Sequence, residues 1–589
     1  MTWTTSVVIL LVSLALARLF RIGKRESYLP PGPPTLPVVG NMHVFPTKYP
    51  HYKFTEWARQ YGGMYSIKVG SQTVIVLNAM DHVKELLEKR NATTAGRPRN
   101  HVVEMVGKGN AFSFISANST WRRQRKIANT ILVPSVMPNH LPLQYAEASQ
   151  TLYDILKTPE ELCDHLSRYS FSVITSLLYG KRCPRSQTRE VTAFYELQHV
   201  WTRLISPGTV PPVDKWPIFG VIPERWAPWK TLIRECQQRQ RELYLGLLEE
   251  CEGRVKKNEA SECFIKDLLG RMEEHEMDRE TLGYFAATLL EAGSETTSSV
   301  LKSLVLFLAA SPGAQHKAFA EINLVVGDQR APALEDLKHL PYLDAVLKEV
   351  TLLSLSAKVA DLVIEVQRIR PAVPLALPHE TTAPEEVCDC IDIGAGNLTH
   401  LDASILGTLY LKTLIFPNTY AINHDPGVYW SLSTAQKGCR VKLAIVYFDD
   451  PGAFRPERYL LTEHGIKPGV DDRSFRADIG FGFGRRICPG MHLAKNSIAL
   501  VAMNLIWAFE FKPLVDPDTG KDIPVDVFAY EEGLSFTPKP FRCRVSPRNE
   551  QVVDMIRHQY RAATGIFIEL ERGLAPEDKE WIQEVRKNW

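Results

Sequence analysis

The stretch Phe481-Gly482-Phe483-Gly484-Arg485-Arg486-Ile487-Cys488-Pro489-Gly490 decides how this chain of 589 residues is interpreted. Glycines surround a single cysteine, and glycine lets the backbone adopt positive φ and approach a flat ligand, so that amide N–H groups can point at one sulfur. Pro489 removes a competing donor and fixes the turn. The apolar run after Leu493 can begin a helix whose N-terminal dipole stabilises a thiolate. The pattern therefore predicts that Cys488 alone ligates a metal through its sulfur.

The overall composition limits the class of protein. The chain is 45% hydrophobic and 23% charged, which excludes a disordered chain, a collagen and a polytopic membrane protein. Its 69 Lys plus Arg and 67 Asp plus Glu leave a formal net charge of +2, which argues against nucleic acid as a partner. The ten cysteines include no CxxC pair and predict no disulfide framework. A zinc site is disfavoured by poor spacing of its four candidate ligands, Cys388, Cys390, His400 and Cys439.

A long central helix is predicted from an N-cap at Asp278 to Pro312, well above the usual length in globular proteins. It is mostly apolar, so it should be buried. Its middle reads Ala292-Gly293-Ser294-Glu295-Thr296-Thr297, and these residue types are poor helix formers. Packing through small residues is one explanation, and a functional role is the other. The rest of the chain is helix-rich, with strand-like alternation from Tyr65 to Leu77.

The cysteine stretch resembles the signature F-x-x-G-x-R-x-C-x-G of the cytochrome P450 heme-thiolate family and matches it at every specified position. The resemblance implies a mainly α fold with minor β, in which heme b lies between the long central helix and the cysteine loop. It implies that Cys488 is the proximal ligand of the heme iron, that Phe481 shields the sulfur, and that Arg486 pairs with a heme propionate. The resemblance also implies that Gly490 is part of the cofactor-binding loop.

Other segments agree with this resemblance and occur in the family's order. Trp121 and Arg125 match the pattern W-x-x-x-R, which implies that both lie at a propionate. Glu295 and Thr296 fall in the acid and alcohol positions of the family's oxygen-activation motif. His379 lies in a segment that resembles a strand on which the family can hold a propionate with histidine.

The helical E-x-x-R pair of the family is interrupted in this chain. Glu349 ends a family-like helix segment, but no arginine stands three positions later. Glu365 and Arg368 supply the pattern further along the chain. Arg458 resembles the arginine that bonds this pair in the family. We therefore expect Glu365 and Arg368 to pair with Arg458, with Glu349 as the alternative acid.

Three segments between Glu349 and Asp449 look inserted, at 350–365, about 388–411 and 430–448. Long loops without secondary structure are uncommon inside a compact domain, and three in one region are more unusual still. We interpret them as short introns translated in frame. Genuine surface insertions are the alternative, and sequencing the mature transcript separates the two.

The N-terminus predicts a membrane anchor. No charged side chain appears from Thr2 to Ala17, and four basic residues follow between Arg18 and Arg25. A cleaved signal peptide is the alternative, but it would carry its positive charge ahead of the apolar run. We expect an anchor at 1–22, a basic and proline-rich spacer at 23–48, a catalytic domain at 49–547 and a tail at 548–589 with no assigned function.

The resemblance implies a monooxygenase, an oxidoreductase that inserts one oxygen atom from O2 into a lipophilic small molecule. Its electrons would come from NADPH through NADPH-cytochrome P450 reductase, and fungal secondary metabolism is the expected context. We expect a single-pass protein of the endoplasmic reticulum membrane with a cytosolic catalytic domain. The alternatives are a heme-thiolate isomerase or dehydratase that needs no O2, which the pair Glu295-Thr296 disfavours, and a non-catalytic heme-binding membrane protein or pseudoenzyme.

Overall fold

The computed structural model describes residues 3–46, 50–206, 208–214, 217–354, 379–380, 385–386, 408–409, 414–417, 453–469, 479–531 and 537–587. Within these ranges the chain is mainly helical. The longer helices are α1 (Trp3–Arg21), α2 (Pro50–Tyr61), α6 (Ser119–Leu132), α7 (Met137–Lys157), α8 (Leu162–Tyr179), α9 (Arg189–Ile205), α11 (Pro228–Lys256), α13 (Arg279–Ala310), α14 (Pro312–Val325), α15 (Pro341–Ser354), α17 (Met491–Ala508), α18 (Glu550–Leu570) and α19 (Pro576–Lys587). The short helices are α3 (Met80–Val83), α4 (Asn91–Thr94), α5 (His101–Gly107), α10 (Ile218–Val221), α12 (Phe264–Leu269) and α16 (Arg458–Leu461).

The strands of the described residues form three small sheets. They are β1 (Met64–Val69), β2 (Gln72–Leu77), β3 (His379–Glu380), β4 (Glu385–Glu386), β5 (Thr408–Leu409), β6 (Leu414–Pro417), β7 (Phe509–Lys512) and β8 (Arg544–Pro547). The largest sheet has the order β1-β2-β6-β3, in which β2 and β6 are parallel and the other neighbours antiparallel. The remaining sheets pair β4 with β5 and β7 with β8. Gly70 adopts a φ of 60° in the tight turn between β1 and β2, a conformation that glycine tolerates best.

Helix α13 is the centre of the molecule, as its apolar sequence predicts. The Asp278 carboxylate accepts a hydrogen bond of 2.7 Å from the backbone N–H of Thr281, which caps the first turn. The helix ends just before Pro312, so the predicted bounds are confirmed within two residues. It packs most extensively on α8 and also touches α11, α15 and α17. Helix α13 therefore contacts both α8 and α17, the helix that follows Cys488 in the sequence.

The C-terminal tail is packed against the body through α18 and α19. Helix α18 lies along α7 and buries an apolar face that includes Ile556 and Phe567. The Arg182 guanidinium joins the tail to the core, since it donates to Glu571 at 2.5 Å and to the fully buried Glu147 at 3.2 Å. The 40 or so residues after β8 thus contribute to the same core as the catalytic domain.

Helix α1 leaves its apolar side chains exposed, among them Val8, Leu11 and Phe20. Among the described helices, none taken singly has both the length and the apolar character needed to cross a bilayer. The pair α13 and α14 meets the criterion by length and composition, with a bend of 108° between the two helices. Most residues of α13 are buried in the core of the protein.

Candidate active site

The cysteine loop includes two short 3-10 turns, Ile479–Phe481 and Gly484–Arg486, and ends where α17 begins. The backbone N–H of Cys488 donates to the Phe481 carbonyl at 2.7 Å and closes the loop. Gly484 is required here, because its φ is 53° and a Cβ would lie 2.1 Å from the backbone oxygen of Leu87. The loop is therefore clamped against the segment that precedes α4, with no room for a side chain at residue 484.

The Cys488 sulfur has the polar surroundings that the glycine pattern predicts. The backbone N–H of Gly490 donates to it, and the positive charge of Arg125 reaches it from α6. Burial has the larger effect and raises the pKa of the thiol, while these two contacts oppose the rise. The residue is only partly buried. A metal ion at the sulfur would add the positive charge that favours the thiolate.

Three arginines converge beside this loop. The Arg486 guanidinium stacks on the ring of the buried Trp121 at 4.0 Å and donates to the carbonyls of Ala95 at 2.9 Å and Ile115 at 2.6 Å. Burial, followed by the positive charges of Arg97 and Arg125, lowers the pKa of Arg486 to about 8.

Arg97 is the member of this cluster that the motif search missed. Its side chain is buried, it donates to the Ser113 carbonyl at 3.3 Å, and burial lowers its pKa to about 10. The local signal is only an arginine before a proline, so its convergence with Arg125 and Arg486 depends on the fold.

Two hydroxyls in the middle of α13 donate to carbonyls of the same helix. The Thr296 hydroxyl donates to the Ala292 carbonyl at 2.6 Å, and the Ser299 hydroxyl donates to the Glu295 carbonyl at 2.8 Å. Gly293 fits the packing explanation, because a Cβ there would lie 2.7 Å from Ile174 of α8. Ala292, by contrast, is exposed although it lies in the middle of a buried helix. The Ala292 and Thr296 side of α13 therefore borders open space.

Glu295 lines a cavity of about 1090 Å³ between α8, α9, α13 and residues 537–542. Lys302, two turns further along α13, lines the same cavity. Successive residues of a helix do not face each other. The side chains of Glu295 and Thr296 therefore point in different directions, and only Glu295 is among the residues that line this cavity.

Glu349, the alternative acid, takes the position that Glu365 was expected to fill. Its carboxylate is fully buried and accepts from Arg458 Nε at 3.0 Å and from the backbone N–H of Arg455 at 2.8 Å. Burial raises the pKa of Glu349 to about 7, against the opposing charge of Arg458. Glu365 and Arg368 lie outside the described residues.

His379 is placed only by its backbone. It pairs with Ile415 in the strand β3, next to β6 in the largest sheet. The expectation that its side chain holds a propionate lies outside what the structure describes.

Comparison with known proteins identifies the class. The family model described as cytochrome P450 matches residues 30–352 and 442–542. The chain therefore belongs to the cytochrome P450 family. The gap in the match falls in the region where the sequence looks interrupted.

Similar curated proteins are named cytochrome P450 monooxygenases, and this chain is an enzyme of that kind. A monooxygenase from Armillaria gallica is 39% identical over 94% of this chain and 96% of its own length. The monooxygenase atE of Aspergillus terreus is 32% identical over 96% of each chain. A solved structure of a zebrafish cytochrome P450 with progesterone matches with a TM-score of 0.61 at 22% identity, over 85% of this chain and 99% of its own. That likeness confirms the mainly helical fold.

The residues around the cysteine loop fit a heme group. Buried cations need anions or hydrogen-bond acceptors close by. Burial lowers the pKa of Arg97, and burial together with the positive charges of Arg97 and Arg125 lowers the pKa of Arg486. The two propionate carboxylates of heme would place negative charge beside this cluster. A half-buried thiol with an amide donor lies beside the same cluster, as a thiolate ligand of iron requires.

Proposed function

We propose that this protein is a heme b monooxygenase that inserts one atom of O2 into a lipophilic small molecule, with electrons from NADPH through NADPH-cytochrome P450 reductase. The observation that carries the proposal is the convergence of the Cys488 sulfur with the arginine cluster Arg97, Arg125 and Arg486. The likeness to fungal monooxygenases supports fungal secondary metabolism as the context.

The chain's own residues would bind and orient the cofactor. When bound, heme supplies the activation of O2 and the oxidation of carbon, chemistry that no side chain provides. Cys488 would ligate the iron, while Arg97, Arg125 and Arg486 would hold the propionates. The Trp121 ring would keep Arg486 in place by stacking on its guanidinium. The pair Glu349 and Arg458 fixes the segment 453–458 against α15.

Proton movement is assigned to the middle of α13. The Glu295 carboxylate would take a proton from water in its polar cavity and return it toward the open side of the helix. The Thr296 hydroxyl would hold that proton next to Ala292, where α13 borders open space. General acid groups placed in this way contribute by keeping a proton within hydrogen-bond reach.

Contact with a reductase is supported by basic side chains on the elements that hold the cysteine. Arg122 and Lys126 of α6 are exposed, as are Arg485 of the cysteine loop and Lys495 of α17. A positive surface of this kind would attract an acidic partner and increase the rate of association.

We also propose attachment to the endoplasmic reticulum membrane by a single N-terminal anchor. The support is the exposed apolar surface of α1, together with exposed Ile218, Val221 and Trp226 near α10. Apolar side chains exposed in this way are stabilised by contact with lipid.

The test is the absorption spectrum of the purified protein after reduction and addition of carbon monoxide. A Soret band at the position typical of heme-thiolate proteins is expected, and its absence in a folded sample would overturn the proposal. Reconstitution with the reductase then separates the reactions, because a monooxygenase consumes NADPH and O2 whereas an isomerase or dehydratase needs neither.

A further inference from the structure

A second carboxyl group lies one helical turn before Glu295. Glu291 is partly buried on α13, and its carboxylate accepts a hydrogen bond of 2.5 Å from the Tyr244 hydroxyl of α11. Gln198 of α9 contacts the same pair, since its amide donates to the Tyr244 oxygen at 3.5 Å and also bonds Glu291. Residues four apart on a helix are neighbours on its surface, so Glu291 and Glu295 lie side by side.

Within the part of the chain that the structure describes, the titratable groups that act on Glu291 are acids. Tyr244 and Cys236 face it from α11, Tyr179 faces it from α8, and Glu295 faces it from its own helix. Burial and then the negative charge of Glu295 favour its neutral form, against the hydrogen bonds from Tyr244 and Gln198. The net result raises the pKa of Glu291 to about 7. The group is thus half protonated near neutral pH.

Glu291 does not itself line the polar cavity, but two of its neighbours do. Gln198, which bonds its carboxyl group, lines the polar cavity of about 1090 Å³ together with Glu295. A polar cavity of this size can hold water molecules that bridge buried groups. Glu291 is therefore one hydrogen bond away from the cavity wall, through Gln198, whereas Glu295 is part of that wall.

We propose that Glu291 is a proton reservoir for Glu295, with Tyr244 and Gln198 as the positioning residues that hold its carboxyl group. This inference rests on the proposed role of Glu295 in moving protons. The Glu291 carboxylic acid gives its proton to the Glu295 carboxylate and becomes a carboxylate. Once Glu295 has given that proton up, it takes another from hydronium in the cavity and passes it back to Glu291, leaving water. No electron moves in any step, and the net change is the transfer of one proton from hydronium in the cavity to the group that accepts it from Glu295.

Infrared spectroscopy tests the reservoir without any turnover. The carbonyl stretch of a protonated carboxyl group is recorded from acidic to basic pH, and a band that disappears with a midpoint near 7 is expected in the wild type. Glu291→Gln should lose its component of that band, which is read from the difference spectrum against the wild type because the pKa of Glu349 is also raised to about 7. Glu280→Gln, a control at a partly exposed ion pair of the same helix, should keep the full band. Tyr244→Phe removes a hydrogen bond that stabilises the carboxylate, so the midpoint should rise by roughly one pH unit. A band unchanged in Glu291→Gln, or a midpoint unchanged in Tyr244→Phe, would overturn the proposal.

A second measurement addresses the transfer itself. NADPH consumption is followed with the reductase and O2 alone, in H2O and in D2O. The wild-type rate should fall as the pH rises through about 7, because the donor form of Glu291 is lost. Glu291→Gln should be at least about tenfold slower, with no such inflection. A pH profile and isotope effect equal to the wild type would refute the transfer.

The carbon monoxide spectrum of each variant keeps the two proposals apart. If the wild type lacks the thiolate band, the proposed function fails, and the infrared titration still decides the ionisation of Glu291. If the band is present but Glu291→Gln behaves as the wild type, only the reservoir is refuted. Should Glu291→Gln fail to fold, Tyr244→Phe retains the carboxyl group, and its unshifted profile would count against the proposal.

Discussion

Replacement of Phe567 by alanine should destabilise the whole protein, although this residue lies in the tail beyond the catalytic domain. The Phe567 ring is fully buried between α18 and α7. The Arg182 guanidinium stacks on it at 3.4 Å while bonding both Glu571 and the buried Glu147. The ring therefore fills the core and also keeps water away from an ion-pair network.

The expected cost of Phe567→Ala is about 3–5 kcal/mol of the free energy of unfolding, which is the usual cost of removing a buried phenylalanine ring. The matched control is Ile568→Ala, because Ile568, the next residue of the same helix, is 53% exposed and should cost within about 0.5 kcal/mol. Urea unfolding, followed by tryptophan fluorescence, measures both variants. If the two variants unfold at the same urea concentration, the tail is not part of the core and the reasoning fails.

Three further changes test the site. Glu349→Gln leaves Arg458 buried without its carboxylate, so we expect a loss of about 3–5 kcal/mol in urea unfolding; a loss below about 1 kcal/mol would show that the pair is not needed. Arg97→Gln removes one cation of the propionate cluster and should weaken heme retention by roughly 10- to 100-fold, measured as heme lost to a scavenger protein; equal loss from the wild type would contradict the assignment. Thr296→Ala should divert NADPH consumption from product to peroxide by roughly tenfold or more, while Thr297→Ser, which keeps a hydroxyl, should not; equal peroxide yields in both variants would remove Thr296 from the proton path.

Much of the fold could be predicted because its signals are local. An apolar run with an N-cap at Asp278 and a stop at Pro312 defines α13 to within two residues. The strand-like alternation of residues 65–77 proved to be two strands, since Gly70 allows the turn that divides them. In the tail, the sequence around Val552 to Ala562 has helical spacing, and the structure confirms it as part of α18. Its packing on α7 was not foreseen, because Arg182 and Glu571 are nearly 400 residues apart and carry no local signal.

The candidate site was predicted where a motif has fixed spacing and missed where it depends on convergence. Cys488, Trp121 and Arg125 could be found by pattern, and the structure brings Trp121 against Arg486 and Arg125 close to the sulfur. Arg97 belongs to no motif, and only the folded chain places it beside Arg486. Electrostatic neighbours from separate segments leave no trace in a linear pattern, whereas a metal-binding loop requires its residues at set distances along the chain.

The acid that pairs with Arg458 could not be identified from sequence spacing alone, and its burial in the structure identifies it as Glu349. Spacing favours Glu365, because an arginine follows it three positions later, whereas Leu352 occupies that position after Glu349. Yet Glu349 is fully buried and its carboxylate meets the Arg458 guanidinium, an arrangement whose desolvation cost is offset only by a specific partner. The family match also runs through Glu349 and stops at residue 352. Both observations favour a break in the family pattern directly after Glu349, so that the acid of the pair is retained while its helical arginine is displaced.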